Sequence, residues 1–338
     1  MLGKPGLKSN DTRRWQQSPH LRVSLAHVRD IFAYLKERDI SMYRLSSDLA
    51  PYLTHPEMPQ FREQIADCAR ELNDLGAMAR SQHLRLSFHP SQYIILNSPD
   101  AKLTGQSVHD IESQAEMLDR IELGPEAVVV VHVGGTYGDR ATTRDRWART
   151  FEKKLSRRAR NRLVLENDDI SFSAADVLKI HRLCGVRLIF DYQHFWTLNP
   201  ERLELRPTVE EFLRTWPKGV RPKLHFSSPR TELREIRRKN RKTNKREIVL
   251  LPSLLTGHAD YNNPFEFVTM MRQLGGLEFD VMLEAKAKDL ALLRLRSDLS
   301  RIAPDVAARF GIAATGITPP PAEEISAQAE SSESVLDK

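Results

Sequence analysis

Residues 126–133 read EAVVVVHV, and the fold class follows from what this segment can form. Four consecutive valines between short flanks are too few for a helix of ordinary length and far short of the roughly 18 residues a membrane-spanning helix needs, so they form a short buried strand. The same theme recurs on either side. Strands are expected at Ser41–Leu45, Leu84–Phe88, Ala127–Val131, Arg162–Leu165, Arg187–Phe190, Lys223–Phe226 and Asp280–Leu283. Between them apolar residues repeat at three-to-four spacing. Leu25, Val28, Ile31, Phe32 and Leu35 mark one helix over residues 24–38, with Ser24 placed to cap it. Phe61, Ile65, Cys68, Leu72 and Leu75 mark a second, and Ile111, Ala115, Leu118 and Ile121 a third.

Short buried strands alternating with amphipathic helices imply parallel neighbours joined by helical crossovers, since parallel strands cannot be connected by tight hairpins. The expected class is therefore α/β, and seven such units in about 300 residues suit a TIM (β/α)8-type barrel better than an open sheet. One stave is missing from the count. No glycine-rich turn follows the first strand and no phosphate-loop motif is present, which removes the common nucleotide-cofactor folds.

The chain has 338 residues, 51 basic and 45 acidic side chains, and 40% apolar residues, a balance that excludes wholesale disorder. The opening MLGKPGLKSNDTRRW carries charge without a following apolar stretch, so a secretory signal is not expected. Cys68 and Cys184 both fall in helix-like patterns. A disulfide framework is not expected, and the expected location is the cytoplasm. The charge of +6 is concentrated: residues 230–246 hold nine Lys/Arg against two Glu, so the rest of the chain sums to about −1. Such a run suits either a solvated loop or an arm for a polyanion, nucleic acid above all. Residues 305–338 include three consecutive prolines and carry a charge of −4. They are expected to be a disordered acidic tail, leaving residues 1–304 as the barrel domain.

The residues that follow the strands carry the chemistry. Past the first candidate, the strands run into His89, His132, Glu166, Asp191 and Glu284, with His225 inside the last turn of its own strand. In a parallel barrel these ends open onto one face, where catalytic groups collect. A single His or Asp after a strand is usually a cap. Six strands ending this way are not explained by capping, and carboxylates crowded together repel one another unless cations intervene. His194 lies three residues after Asp191, and His258 and Asp260 form a further pair before the last strand. Five imidazoles and three carboxylates without cysteine disfavour a structural zinc cage and favour Mn, Zn or Fe in an open cluster of more than one ion. Two or three divalent ions can hold a phosphodiester and lower the pKa of water, so hydrolysis of a phosphate ester is the natural reaction. The basic segment points to an ester within a polymer.

The segments YRLSSDLAPYLTHP (43–56), SFHPSQYIILNSP (87–99), VVVVHVGGTYGDR (128–140), LVLENDD (163–169), FDYQHF (190–195), KLHFSSPR (223–230), GHADY (257–261) and VMLEAKAKD (281–289) together resemble the UV damage endonuclease family in order and spacing. The resemblance implies a metal-dependent TIM barrel, related to endonuclease IV, that nicks double-stranded DNA immediately 5′ of ultraviolet photoproducts and leaves a 3′-hydroxyl. It implies that His89, His132, Glu166, Asp191, His194, His225, His258 and Glu284 are metal ligands for two or three ions, Mn2+ first and Zn2+ or Mg2+ otherwise. Glu166, Lys223 and Glu284 are implied as catalytic, Lys223 through carboxylation. Gln92 and Tyr93 are implied to push into the duplex at the lesion, where bases left unpaired can be stacked upon and hydrogen-bonded. His55 and Asp260 are softer candidates. The resemblance further implies a monomer.

Two features depart from that pattern. Family members begin with a strand that supplies the first stave, whereas Met1-Leu2-Gly3-Lys4-Pro5 has no apolar run of strand length. The missing stave is thus expected to be the first, with the chain's start lying downstream of the full one. The other departure is the length of the basic segment between His225 and His258, expected to be a DNA-facing arm. Two other readings compete: a metal-dependent sugar isomerase or epimerase of similar barrel, and a non-catalytic binder of damaged DNA. The first leaves the basic segment and the HPSQY loop without a purpose.

Overall fold

The computed structural model describes residues 1–240 and 244–314. Nine strands form among them: β1 (Met42–Leu45), β2 (Arg85–Phe88), β3 (Val128–His132), β4 (Leu163–Glu166), β5 (Arg187–Ile189), β6 (Lys223–Phe226), β7 (Arg234–Lys239), β8 (Arg246–Leu251) and β9 (Asp280–Leu283). Strands β1 to β5 pair in sequence, all parallel, and β6 pairs in parallel with β9. A parallel bridge from Asp191 to His225, with the His225 N–H donating to Phe190 O, joins the two sheets. The result is a TIM-type barrel of seven staves in the order β1-β2-β3-β4-β5-β6-β9. Strands β7 and β8 stand apart as an antiparallel ribbon.

All seven strands expected from the apolar runs are present, most within a residue of the predicted bounds. A strand buried on both faces needs apolar side chains on both, which is why the signal was a run and not an alternation. The alternation reappears in where each side chain goes. Val129, Val131, Leu163, Leu165 and Leu188 point outward into the large core shared with the helices, while Val128, Val130, Val164 and Ile189 pack inside the barrel with Trp216. Arg85 and Arg187 set their guanidinium groups 5.5 and 5.1 Å from the Trp216 ring. Arg85 is bound by Asp280 at 2.7 Å, which ties β2 to β9 across the barrel floor.

No strand lies between β1 and β9 among the described residues, and a cavity of about 1140 Å³ opens there. Edge residues on β9 are only half-buried, unlike the fully buried β2, β4 and β6. The helix Lys288–Ile302 flanks this gap, and Arg296 donates to the carbonyls of Arg38 and Asp39 near the start of β1.

Three local expectations need correction. The first helix spans Leu21–Glu37 and is capped by the His20 ring, which accepts from Arg22 N; Ser24 lies inside it, buried, with its hydroxyl accepting from Asp11 N. The second is broken at Cys68 into Gln64–Asp67 and Ala69–Ser81. Residues 305–314, assigned by composition to the tail, include most of the helix Pro304–Ala308, whose Val306 and Ala307 are buried, and Arg309, which donates to Met271 O and Leu277 O. The remainder of that expected tail lies outside the described residues. No helix among the described residues is long and apolar enough to cross a membrane.

Candidate metal centre

The period-two alternation that fills the barrel interior also builds the site. Two residues beyond Val130 on the same face is His132; two beyond Val164 is Glu166; two beyond Ile189 is Asp191. Opposite the outward-packed Leu86 and Phe88, Leu224 and Phe226, the inward parity carries Ser87 and His89, then Lys223 and His225. Strand register aligns these groups: His132 sits opposite Glu166, and Asp191 opposite His225. One rule thus brings residues spread over about 200 positions to one end of the barrel.

Glu166 is at the centre and fully buried. Its Oε1 lies 2.7 Å from His225 Nδ1 and 3.8 Å from His194 Nδ1, and its Oε2 lies 3.0 Å from His89 Nε2 and 3.7 Å from His132 Nε2. His225 Nδ1 is also 3.2 Å from Glu284 Oε1, and His258 Nδ1 is 3.7 Å from Glu284 Oε2. Potential ligand atoms of His89, Glu166, His225 and Glu284 lie within 4.8 Å of one another, as do those of Glu166, Asp191 and His194. All eight residues expected as ligands therefore converge, with Glu166 common to both groups.

Surrounding hydrogen bonds orient several of them. Asn167 clamps the Asp191 backbone on both sides, accepting from its N–H at 2.9 Å and donating to its carbonyl at 3.1 Å. His194 Nδ1 lies 2.9 Å from Asn167 O and His89 Nδ1 3.2 Å from Pro90 O; a ring that donates there keeps its Nε2 free for a cation. Gln193 accepts from the Ser227 hydroxyl and donates to Leu255 O and Gly257 O, steadying the loop that carries His258.

The donor set fits cations. Asp191 Oδ2, His225 Nε2 and His132 Nδ1 are buried with no hydrogen-bond partner, a costly state for polar atoms unless something else engages them. Burial pushes Asp191 up to about 8, an effect His194 opposes and the carboxylates of Glu166 and Glu284 reinforce. Burial disfavours the His194 cation, yet Asp191 and Glu166 outweigh it and raise His194 to about 9. Burial takes His225 down to about 4 against the pull of Glu166 and Glu284. Although burial works against its charge, Glu166 is held well below the usual carboxylate range by His225 and His132. Groups forced so far from their ordinary protonation are typical of a built functional pocket.

Lys223 sits one layer below His225, buried, with Nζ 3.1 Å from Ser87 Oγ. Burial, aided by Arg85 and Arg44, drives its amine well below the usual lysine range. Gln92 and Tyr93 lie exposed on the loop just past His89, and Tyr93 is 78% exposed. Two softer candidates, His55 and Asp260, belong to neither group of ligand atoms. The His55 ring accepts from Glu57 N in a turn, and Asp260 is exposed, its carbonyl accepting from Ala287 N. Sequence reasoning missed Arg44, whose guanidinium is in direct contact with Glu284 Oε1. Its signal was available: Arg44 occupies the inward parity of β1, paired in register with Ser87.

Comparison with known proteins agrees with this architecture. A family model described as UV-endonuclease UvdE matches residues 9–309. A UV DNA damage endonuclease from Bacillus velezensis is 30% identical over 284 residues, covering 83% of this chain and 82% of that protein. The crystal structure of SacUVDE superposes with a TM-score of 0.71 at 26% identity, covering 87% of this chain and 93% of that one. Endonuclease IV from Thermus thermophilus shares the fold, with a TM-score of 0.50 at 12% identity over 80% of this chain and 93% of that one. By the extent of the family match, and by its identity to a curated relative across most of both chains, this chain belongs to the UV damage endonuclease family.

Proposed function

We propose that this chain nicks the damaged strand of duplex DNA immediately 5′ of ultraviolet photoproducts by metal-dependent phosphodiester hydrolysis, acting as a cytoplasmic monomer without a nucleotide cofactor. The observation that carries the reading is the pocket itself. Three carboxylates and five imidazoles, from six staves, the helix Tyr192–Thr197 and the loop that carries His258, share it, and buried atoms of Asp191, His225 and His132 have no hydrogen-bond partner. Two or three divalent cations, Mn2+ first and Zn2+ or Mg2+ otherwise, would be held by His89, Glu166, His225 and Glu284, by Glu166, Asp191 and His194, and at the edges by His132 and His258. When bound, they supply Lewis acidity at the phosphate oxygens and a nucleophile drawn from water near neutral pH.

The chain's own groups divide the remaining work. Glu166 turns one oxygen to each side of the pocket and so fixes the spacing of both ligand groups. Glu284 anchors the side nearest Arg44, whose guanidinium keeps a permanent positive charge where a polyanion would enter. Lys223, whose burial favours the uncharged amine, can add carbon dioxide at Nζ; the new N–C bond forms as one amine proton is lost to water, leaving a carbamate that joins Glu166 and Glu284 as a catalytic anion. Exposed aromatics Tyr93, Tyr137, Trp196 and Tyr261 all follow staves or the His258 loop and offer stacking surfaces for bases. Gln92 and Tyr93 enter the duplex where a photodimer has already weakened stacking and pairing, so selection rests on deformability rather than on sequence.

The test is a duplex carrying one cyclobutane dimer, labelled at the 5′ end of the damaged strand and incubated with Mn-loaded protein. The expected result is a single cut at the phosphodiester next to the dimer on its 5′ side, with an end that a polymerase extends. A cut elsewhere, or equal cutting of undamaged duplex, contradicts the reading.

A further inference from the structure

The β7–β8 ribbon leaves the barrel at the rim of the metal centre. Its feet are stitched to the loop bearing His258: Pro229 bridges His258, Arg230 N donates to Gly257 O at 2.7 Å, and Ala259 N to Ser228 O at 2.9 Å. It starts eight residues past Phe226, the end of β6, and returns seven residues before His258. Cross-strand pairs sort its side chains into two faces. On one, Arg234, Ile236, Val249 and Leu251 are half-buried toward the base. The other face is exposed throughout and carries Glu235, Arg237 and Lys239 opposite Leu250, Ile248 and Arg246. No ion pair neutralises Arg237, Lys239 or Arg246 among the described residues.

A solvated loop does not need exposed aliphatic side chains interleaved with cations on one flat face. Nucleic acid grooves do offer that pairing, with phosphates at the walls and, on the major-groove floor, thymine methyls among the base edges. Two strands about 4.8 Å apart with their side chains are too wide for the roughly 6 Å minor groove and fit the roughly 12 Å major groove. Six extended residues reach about 20 Å, which corresponds to about six base pairs of duplex. From this geometry we infer that the ribbon seats its Arg237/Lys239/Arg246 face in the major groove about six base pairs to one side of the scissile phosphate. The inference rests on the DNA reading of the metal centre and adds a second, remote contact to it. Its consequence is that substrate needs intact duplex well beyond the lesion on that side.

The experiment uses the full, Mn-loaded chain and the variant Arg237→Ala/Lys239→Ala/Arg246→Ala. Binding to a 40-base-pair dimer-containing duplex is followed by fluorescence anisotropy across a salt series, with nicking measured in parallel. Duplexes cut back to three base pairs on either side of the dimer complete the set. The expected result is at least tenfold weaker binding by the variant at moderate salt, with a log–log salt slope reduced by about 2 to 3. Wild-type protein should lose a similar factor on truncation of one side only, and the variant should be insensitive to it. A second variant, Arg237→Lys/Arg246→Lys, should keep the wild-type slope, separating charge from ribbon folding. Wild-type affinity and slope in the triple-alanine variant overturn the inference and leave the ribbon to an acidic protein partner. Binding that behaves as expected without nicking leaves the ribbon standing and removes the nuclease reading; nicking with an unaffected variant does the reverse.

Discussion

His225 Nδ1 stands 2.7 Å from Glu166 Oε1, although the two residues are 59 positions apart and sit on different staves. Both are fully buried, and the other Glu166 oxygen serves His89 and His132. One carboxylate thus belongs to two groups of potential ligands at once.

Glu166→Gln keeps the shape and removes the charge. Metal content by elemental analysis should fall by at least one ion per chain, and nicking should drop by roughly 100-fold or more, as is typical when a metal ligand or the group that orients it is lost. Binding to damaged duplex should stay within a few-fold of wild type. Undiminished cleavage would mean that the cluster has been assigned wrongly.

Tyr93→Ala removes an aromatic that is largely free of protein contacts, so the thermal midpoint should not move. Loss of one base-stacking contact is worth roughly 1–3 kcal/mol, so the preference for dimer-containing over intact duplex should shrink by about tenfold. Competition binding reads this directly. An unchanged preference would place lesion sensing elsewhere.

Lys223→Met exchanges a buried amine for an apolar side chain of similar length. Stability in urea should be unchanged or rise by about 1 kcal/mol, because a poorly compensated polar group leaves the interior. Nicking should fall steeply, and added carbon-13 bicarbonate should give a carbamate resonance in wild type that the variant lacks. A folded, fully active Lys223→Met chain would exclude a catalytic role for this residue.

Asp11 accepts hydrogen bonds from the Arg13 guanidinium and from the N–H groups of Arg13 and His20, and Arg13 chiefly holds its carboxyl down at about 2. A folded pKa below the unfolded one means the ionised form favours the native state. This contribution is full above about pH 4 and is lost as pH falls toward 2. Asp11→Asn should therefore cost about 1 kcal/mol at pH 7, a modest figure because Arg13 remains half exposed to solvent and salt. Urea midpoints of the two proteins should converge as pH is lowered toward 2; a gap that widens on acidification would reverse the sign.

Seven staves were legible because burial on both faces turns a strand into an unbroken apolar run, as at Val128–Val131. The ligands were legible because they follow those runs. What the sequence hid has specific causes. β7 and β8 read as a charged loop, since REIRRK has no core to face and its pairing with β8 is visible only in three dimensions. Arg44 was passed over because a guanidinium inside a barrel is unexpected until register sets it beside Glu284. His55 and Asp260 shared residue type with the ligands, but His55 sits in a turn and Asp260 is exposed, and residue type alone does not say which groups reach the pocket. Ser24 looked like a cap because serine favours that place, but the His20 ring took it one turn earlier.

Cation dependence on damaged DNA is the sharpest check on the metal centre as a nuclease. Supercoiled plasmid, irradiated or not, is incubated with protein stripped of metal, with the same protein reloaded with Mn2+, and with reloaded protein plus excess chelator. Relaxation of irradiated plasmid is expected from the Mn-loaded protein alone, with intact plasmid left supercoiled throughout. Equal relaxation by stripped protein in chelator, or tight binding to irradiated plasmid with no relaxation in Mn2+, would contradict it.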